Sequence, residues 1–329
     1  MLKTKDAHNN NQRSLAIILA VVGVSLASEA GFLNFAKTFN KKYGSTEEYN
    51  KRREIFLENY NSMVRHNQEY EEGKVSWWRK VTEHYDLTAE EREIALNLGL
   101  APKEEEMTNS ADPEMEAKIL ARSAPDSWSW KDQGGVTSIK NQASCGSCAV
   151  FASVAAIDTC FWQVTGDLVD DLSEQHVMDC AYGYGYGNAG CDGGFMVSYM
   201  EWIKDENDGF VEMESCDPYT ATDEFCTDDD SCNYSAAKVT GVYSSWSPNE
   251  PDMKEMVYMN PVGTAIYASY MFDYGGGIYD DDRCCEGANG CDVNHGVAVI
   301  GRNCIESFLN IDVISTVQVT GVREARTTG

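Results

Sequence analysis

NQASCGSCAVF, residues 141–151, decides how the rest of the chain is read. Cys145 and Cys148 stand three apart with Gly and Ser between them. Gln142 lies six positions before the second cysteine, and a strongly apolar run comes after it. Four chemistries fit such a stretch: a metal knuckle, a redox dithiol, a disulfide corner or a nucleophile. A zinc site needs a second ligand pair. Cys284, Cys285 and Cys291 could supply one, but a chain with twelve cysteines has a simpler use for them in disulfides. A C-x-x-C redox pair wants a strand–helix–strand setting, which the flanks lack. A structural pair remains open. A nucleophile asks for more, and the chain supplies it. Cys148 sits where a buried helix through Trp162 should begin, and unpaired N–H groups at a helix start favour a thiolate.

The surroundings narrow the class. With 329 residues there is room for two domains, or one large domain and an accessory segment. Acidic residues outnumber basic ones 53 to 26, for a net charge of −27, which excludes nucleic acid and anionic membrane as partners. Acidic runs at Asp228–Asp230 and Asp280–Asp282 read as solvated surface, since no calcium-loop pattern accompanies them. At the N-terminus, Arg13 closes a polar lead and Leu15–Ala27 is apolar, too short to span a bilayer as a helix. Residues 1–27 are therefore expected to be a signal peptide, with an uncleaved signal anchor as the alternative, sending a protein with no membrane span into the secretory pathway, where disulfides form.

Beyond Ala27 the chain changes texture once. Ser45 and Glu48 have the capping-box spacing, and Tyr49, Phe56, Tyr60 and Met63 recur on one helical face. No cysteine occurs before Cys145. From Pro125 onward Gly and Cys become dense. GGFMVSYMEWIK from Gly193 reads as a helix; PVGTAIYAS from Pro261 and HGVAVIG from His295 read as strands. Helices first and strands later predict an α+β body with two lobes.

A thiolate nucleophile needs a base and donors for the developing oxyanion. Of five histidines, His8, His66 and His84 precede the body, and His176 lies in a helical-looking segment. His295 heads an apolar strand and is the expected base. Gln142 and the Cys148 backbone N–H are the expected oxyanion donors.

NQASCGSC, LSEQHVMDC, GCDGG at 190–194, PYTA at 218–221, NPVGTAIYAS and VNHGVAVIG together resemble a papain-like cysteine protease of the cathepsin L type, over residues about 125 to 301. The Cys148–His295 separation lies within the roughly 130–150 residues usual for that family. Glu48, Arg52, Phe56, Asn59, Met63 and Asn67 match the family's propeptide pattern E-x3-R-x3-F-x2-N-x3-I-x3-N, with Met for Ile. Of the second propeptide motif only Asp86 is recognisable.

The resemblance implies a two-lobed fold, a helical lobe and a β-barrel lobe, behind a helical propeptide. It implies an inhibitory propeptide over 28–122, a peptidase domain over 123–329 and a mature start near Ser123 to Asp126. Cys148 would be the nucleophile, His295 the general base and acid, and Gln142 an oxyanion donor. Gly193 and Gly194 would present backbone to an extended substrate. Phe195 and Met196 would shape the pocket for the side chain second before the cut, although by residue type alone they read equally well as core. Disulfides Cys145–Cys191 and Cys180–Cys226 are implied, with Cys216 and Cys232 also available to the second pair. Partners would be protein or peptide substrates and the chain's own propeptide. A monomer with no metal or cofactor, secreted or sent to a lysosome or vacuole, is expected.

Two departures stand out. Ala149 stands directly after the nucleophile, where the family has Trp. The NSWG segment that supplies the family's imidazole-orienting Asn is missing; residues 302–329 form an atypical tail, and Asn310 is the one candidate for that role. Intron read-through or a frameshift in the gene structure would explain the tail. The barrel is then expected to be incomplete, with open edges and a chain prone to aggregate. The alternative function is an inactive homologue acting as a binding or decoy protein.

Overall fold

The computed structural model describes residues 29–96, 117–119, 121–166, 168, 172–184, 187–227, 235, 237–245, 250–280, 293–302 and 314–320. The expected signal peptide and Cys232, Cys284, Cys285, Cys291, Cys304 and Asn310 lie outside them. In chain order the first elements are α1 (Glu29–Thr38), α2 (Thr46–Glu71), β1 (Trp77–Arg79), α3 (Ala89–Leu96), β2 (Trp128–Ser129), α4 (Cys148–Thr165), α5 (Glu174–Cys180) and α6 (Met196–Asp205). Then come β3 (Lys238–Ser245), α7 (Glu250–Met259), β4 (Val262–Ile266), β5 (Tyr274–Gly277), β6 (His295–Val299), β7 (Gly301–Arg302) and β8 (Ile314–Thr320).

Contacts divide the chain into two compact units. The first joins Met1–Ala95 to Ser269–Cys284 and Ser307–Leu309. Its long helix α2 starts on Ser45, whose side chain accepts the Glu48 N–H at 3.1 Å; the Glu48 carboxylate takes the Gly44 N–H at 2.7 Å. Two orphan donors of the helix entry are thereby satisfied. The apolar face carries Phe56, Tyr60 and Met63 into a core with Phe32, Phe35 and Tyr85. The polar residues of the propeptide pattern act as ties. Arg52 donates to the Asp86 carbonyl at 3.1 Å and pairs with Glu91, and Asn59 donates to the Tyr85 carbonyl at 2.9 Å. The Asn67 amide both gives to and takes from the Arg79 backbone, each at 2.8 Å, which fixes β1 against α2.

Strand β1 pairs antiparallel with β5, Trp77 opposite Gly277 and Trp78 opposite Gly276. A Cβ on Gly275 or Gly276 would run into the Trp78 ring, and one on Gly277 into the Ser76 carbonyl, so the three glycines let β1 and its indole lie against β5. Beside this ladder the Tyr85 hydroxyl donates to the buried Asp273 carboxylate at 2.9 Å. Burial raises the Asp273 pKa, against the pull of Arg79 at 3.9 Å.

The second unit holds Leu96–Ala268, Cys285–Glu306 and Asn310–Gly329. Helix α4 is buried along most of its length and stops at Gly166, whose φ of 76° only glycine adopts without strain. Its 18 residues would suffice by length and composition to cross a membrane, but the helix is core here. It packs against α6 and against an antiparallel sheet of order β3-β8-β4-β6. Strand β8 comes from the atypical tail and runs opposite β3 from Lys238↔Thr320 to Ser245↔Ile314. Among the described residues the sheet does not close into a barrel. A short ladder, β2 with β7, lies apart from it.

One boundary differs from expectation. The helix read from Gly193 begins at Met196, because Gly193 holds a φ of 111° and Gly194 and Phe195 extend before the first turn.

Candidate active site

Cys148 opens α4, and its side chain is buried. The N-cap residue, Ser147, makes no capping bond with its side chain. Its hydroxyl lies 2.6 Å from the Tyr219 hydroxyl instead. Tyr219 also donates to the Gln142 carbonyl at 2.8 Å. A phenol has one proton, so Ser147 must be the donor to Tyr219. The hydroxyl that would have capped the helix is thus engaged elsewhere, and the positive helix end beside Cys148 keeps its character.

His295 opens β6, opposite Ile266 of β4. The N–H of the next residue, Gly296, donates to the Cys148 sulfur at 3.3 Å. A Cβ on Gly296 would sit 3.2 Å from Ala149 Cα and from Met196 Sδ, and 3.3 Å from Ala149 N. Lacking that atom, the strand meets the first turn of α4 backbone to backbone. His295 is therefore one residue from a backbone–sulfur hydrogen bond. Its Nδ1 is buried and has no hydrogen-bond partner among the described residues. Burial lowers its pKa, which favours the neutral imidazole, the form that can accept a proton.

The loop before Cys148 is braced at several points. Lys140 Nζ donates to the Leu172 carbonyl at 3.0 Å and to the Glu174 carboxylate at 2.8 Å. Burial outweighs Lys140 at Glu174 and pushes its pKa up to about 7. Ala143 takes a left-handed φ of 52°, its N–H bound by the Asn141 side chain. The Gln142 amide donates to the Cys145 carbonyl at 2.9 Å. Cys145 is bonded to Cys191, and the Gly146 N–H donates to the Cys191 carbonyl at 2.8 Å. The second disulfide joins Cys180 to Cys226; Cys148, Cys160 and Cys216 stand outside both.

Gly193 and Gly194 come just after Cys191. The Gly193 carbonyl accepts the Ala189 N–H at 2.8 Å. A Cβ on Gly194 would lie 2.7 Å from the Tyr199 side chain and 2.9 Å from Asn188 Oδ1, so this loop tolerates only glycine. Phe195 and Met196 are buried at 2 % and 1 % exposure. The Ser153 hydroxyl lies 2.8 Å from the Ala149 carbonyl and 3.1 Å from the Met196 carbonyl, so its single hydrogen is shared between the starts of helices α4 and α6. Gly296 thus meets Cys148, Ala149 and Met196, with His295 next to it in β6 and Gln142 on the braced loop that leads into Cys148. His176 does not join them: it is buried 3.7 Å from the Glu212 carboxylate. No cluster of three or more His, Cys, Asp or Glu side chains suited to a metal occurs among the described residues.

Tyr219, Lys140, Asn188 and Gly296 have site-building contacts that residue type did not announce. Tyr219 stands in the quoted PYTA stretch, but only its position opposite Gln142 and Ser147 gives it a role.

A family profile described as "Papain family cysteine protease" matches residues 124–306, and one described as "Cathepsin propeptide inhibitor domain" matches residues 32–91. The chain is 31 % identical over 294 residues to a cathepsin L-like proteinase of Phaedon cochleariae, covering 88 % of this chain and 84 % of that one. It is 32 % identical over 277 residues to cathepsin S of Mus musculus, covering 82 % and 76 %. Among solved structures, digestive procathepsin L 3 of Tenebrio molitor superposes with a TM-score of 0.69 at 26 % identity, over 88 % of this chain and 98 % of that one. Two profiles in zymogen order, relatives of nearly full length and a shared proform architecture agree: the chain belongs to the papain family of cysteine proteases, a cathepsin-like cysteine endopeptidase carrying its own propeptide inhibitor.

Proposed function

We propose that Cys148 is the nucleophile and His295 the general base and acid of peptide-bond hydrolysis. The observation that supports the assignment is the Gly296 N–H donated to the Cys148 sulfur, one residue along β6 from His295. The Cys148 thiol gives its proton to the neutral imidazole. The thiolate, supported by the Gly296 N–H and the uncapped end of α4, attacks the scissile carbonyl. The oxyanion is met by the Cys148 N–H and by the Gln142 amide, which has a second N–H beside the one given to the Cys145 carbonyl. His295 then protonates the leaving amine, and later takes a proton from the water that hydrolyses the thioester. Gly193 and Gly194 offer backbone to an extended substrate, with Phe195 and Met196 as walls of a side-chain pocket.

Residues 28–122 act as the inhibitory propeptide and 123–329 as the peptidase, entering the secretory pathway behind a signal at 1–27 and working as a monomer in a lysosome, a vacuole or outside the cell. The Phaedon and Mus relatives are proteases, which favours this reading over an inactive binding protein. Ala149 leaves the cleft wall without a large side chain. Asn310, the candidate to orient His295, lies outside the described residues. An epoxide thiol trap, applied after acid exposure and mapped by peptide mass, should label Cys148, and Cys148→Ser should abolish both labelling and peptidase activity. Labelling of another cysteine, or activity retained in Cys148→Ser, would sink the assignment.

A further inference from the structure

Residues 121–123 are exposed, and Ala124 is buried. The Ala124 nitrogen lies 3.1 Å from Oε1 and 2.8 Å from Oε2 of Glu255 on α7. The next two carbonyls, of Pro125 and Asp126, both accept from Arg302, at 2.9 Å and 2.8 Å. Residues 125–127 are exposed again, so Ala124 is the one buried residue of this stretch, and the backbone from Ala124 to Asp126 is held by Glu255 and Arg302. Lys254 and Arg302 reach the Asp126 carboxylate, at 3.9 Å and 4.0 Å. A peptide nitrogen carries one hydrogen, yet two carboxylate oxygens stand within reach of it. An α-ammonium in the same place has three hydrogens and a full charge, and can give one to each oxygen.

We infer that maturation ends with hydrolysis of the Ser123–Ala124 bond, and that Glu255 receives the α-ammonium so created. The inference rests on residues 28–122 being a removable propeptide. Water adds across the C–N bond: Ser123 leaves as a carboxylate, and the Ala124 nitrogen takes up the proton. The resulting ion pair cannot exist before the cut, so it stabilises the mature form alone and opposes re-entry of the cut segment.

The test starts from the full chain, matured by acid exposure. Intact mass and N-terminal sequencing should give Ala124 as the first residue. Glu255→Gln is then compared with the parent in both forms. A Gln side chain still accepts the Ala124 amide, so the zymogen Tm should move by no more than about 2 °C; the mature form loses a charge partner, and its Tm should fall by about 4 °C or more. A first residue other than Ala124, or equal losses in the two forms, overturns the inference while leaving the protease assignment standing. Absence of any cut defeats the propeptide reading as well. Should Glu255→Gln not accumulate, acylation of the mature α-amine decides. An amine that resists an N-hydroxysuccinimide ester until the protein is denatured supports the ion pair; one that reacts as in a free peptide refutes it.

Discussion

Replacing Phe56 by Ala should unfold the N-terminal unit. The ring is 2 % exposed. Its centroid lies 4.7 Å from Phe35, 5.5 Å from Phe32, 5.8 Å from Tyr60 and 6.3 Å from Tyr85. Truncation leaves a hole walled by four aromatic rings, which cannot fold inward as flexible aliphatic chains would. A buried Phe→Ala costs about 3–5 kcal/mol, and the poorly collapsing wall puts this site toward the upper end. Lost ring–ring contacts, about 0.5–1.5 kcal/mol each, are contained in that figure. A unit this small holds only about 5 kcal/mol in all, so little would remain. The assay is limited proteolysis of the full chain at neutral pH with an unrelated protease, read by mass. Cuts should appear within α2 in Phe56→Ala and be absent from the parent, and activity on a fluorogenic peptide should appear without acid treatment. Phe56→Leu, which refills most of the volume, should lose about 1 kcal/mol and remain resistant. If Phe56→Ala resists cleavage like the parent, the aromatic cluster is not what holds this unit together.

Tyr219→Phe keeps the ring against Phe151, 4.8 Å away, but frees the Gln142 carbonyl and the Ser147 hydroxyl. Turnover should drop about tenfold with KM little changed, while iodoacetamide alkylates Cys148 at the parent rate, because alkylation builds no oxyanion; unchanged turnover would show that the brace is idle. Glu174, with its pKa raised to about 7 by burial, contributes stability that is full below the ordinary carboxylate range and is lost as pH rises through about 7. The loss is at most ~3 kcal/mol. Tm should therefore rise from pH 8 to pH 5, and Glu174→Gln should flatten the profile; an identical slope in the variant would assign the effect elsewhere. Glu91 runs the other way. The Arg52 guanidinium holds its pKa down at about 2, so its contribution is present above the ordinary carboxylate pKa and fades as pH falls toward 2. Partial exposure limits it to about 1 kcal/mol. Amide protection factors in α2, corrected for the intrinsic exchange rate at each pH, should fall between pH 6 and pH 3, and less so in Glu91→Gln, where the acid-labile charge is already gone; an equal fall in both would rule this pair out.

What could be seen in the sequence was local. The capping spacing at Ser45, the single apolar face of Phe56, Tyr60 and Met63, and the apolar run after Cys148 each act through neighbours on one element, so type and spacing carry them. The propeptide's Arg52, Asn59 and Asn67 were recognisable as a pattern, but what each one ties down was not. Their partners are backbone carbonyls of another segment, which have no side-chain identity to read. The brace through Tyr219 reaches Gln142 from 77 positions away, and the Tyr85–Asp273 bond spans 188. No periodicity reports such pairs; the fold has to bring them together.

The tail shows the same limit from the opposite side. ISTVQVT is extended and rich in β-branched residues, which is a strand signal, yet the missing NSWG segment suggested a barrel left open there. In the sheet, β8 pairs along the whole of β3 but meets β4 at only Gly263 and Thr264. Ladder bonds come from backbone, so an unfilled place beside β3 accepts any extended, β-prone segment that can reach it. The demand for a strand is set by β3 and β4, whereas the tail's own residues decide only whether it can answer. That is why a tail unlike its family's can still supply a strand. It is also why the strand carries no information about His295: pairing Val317 with Val242 needs only backbone, whereas orienting an imidazole needs one particular amide at one particular place.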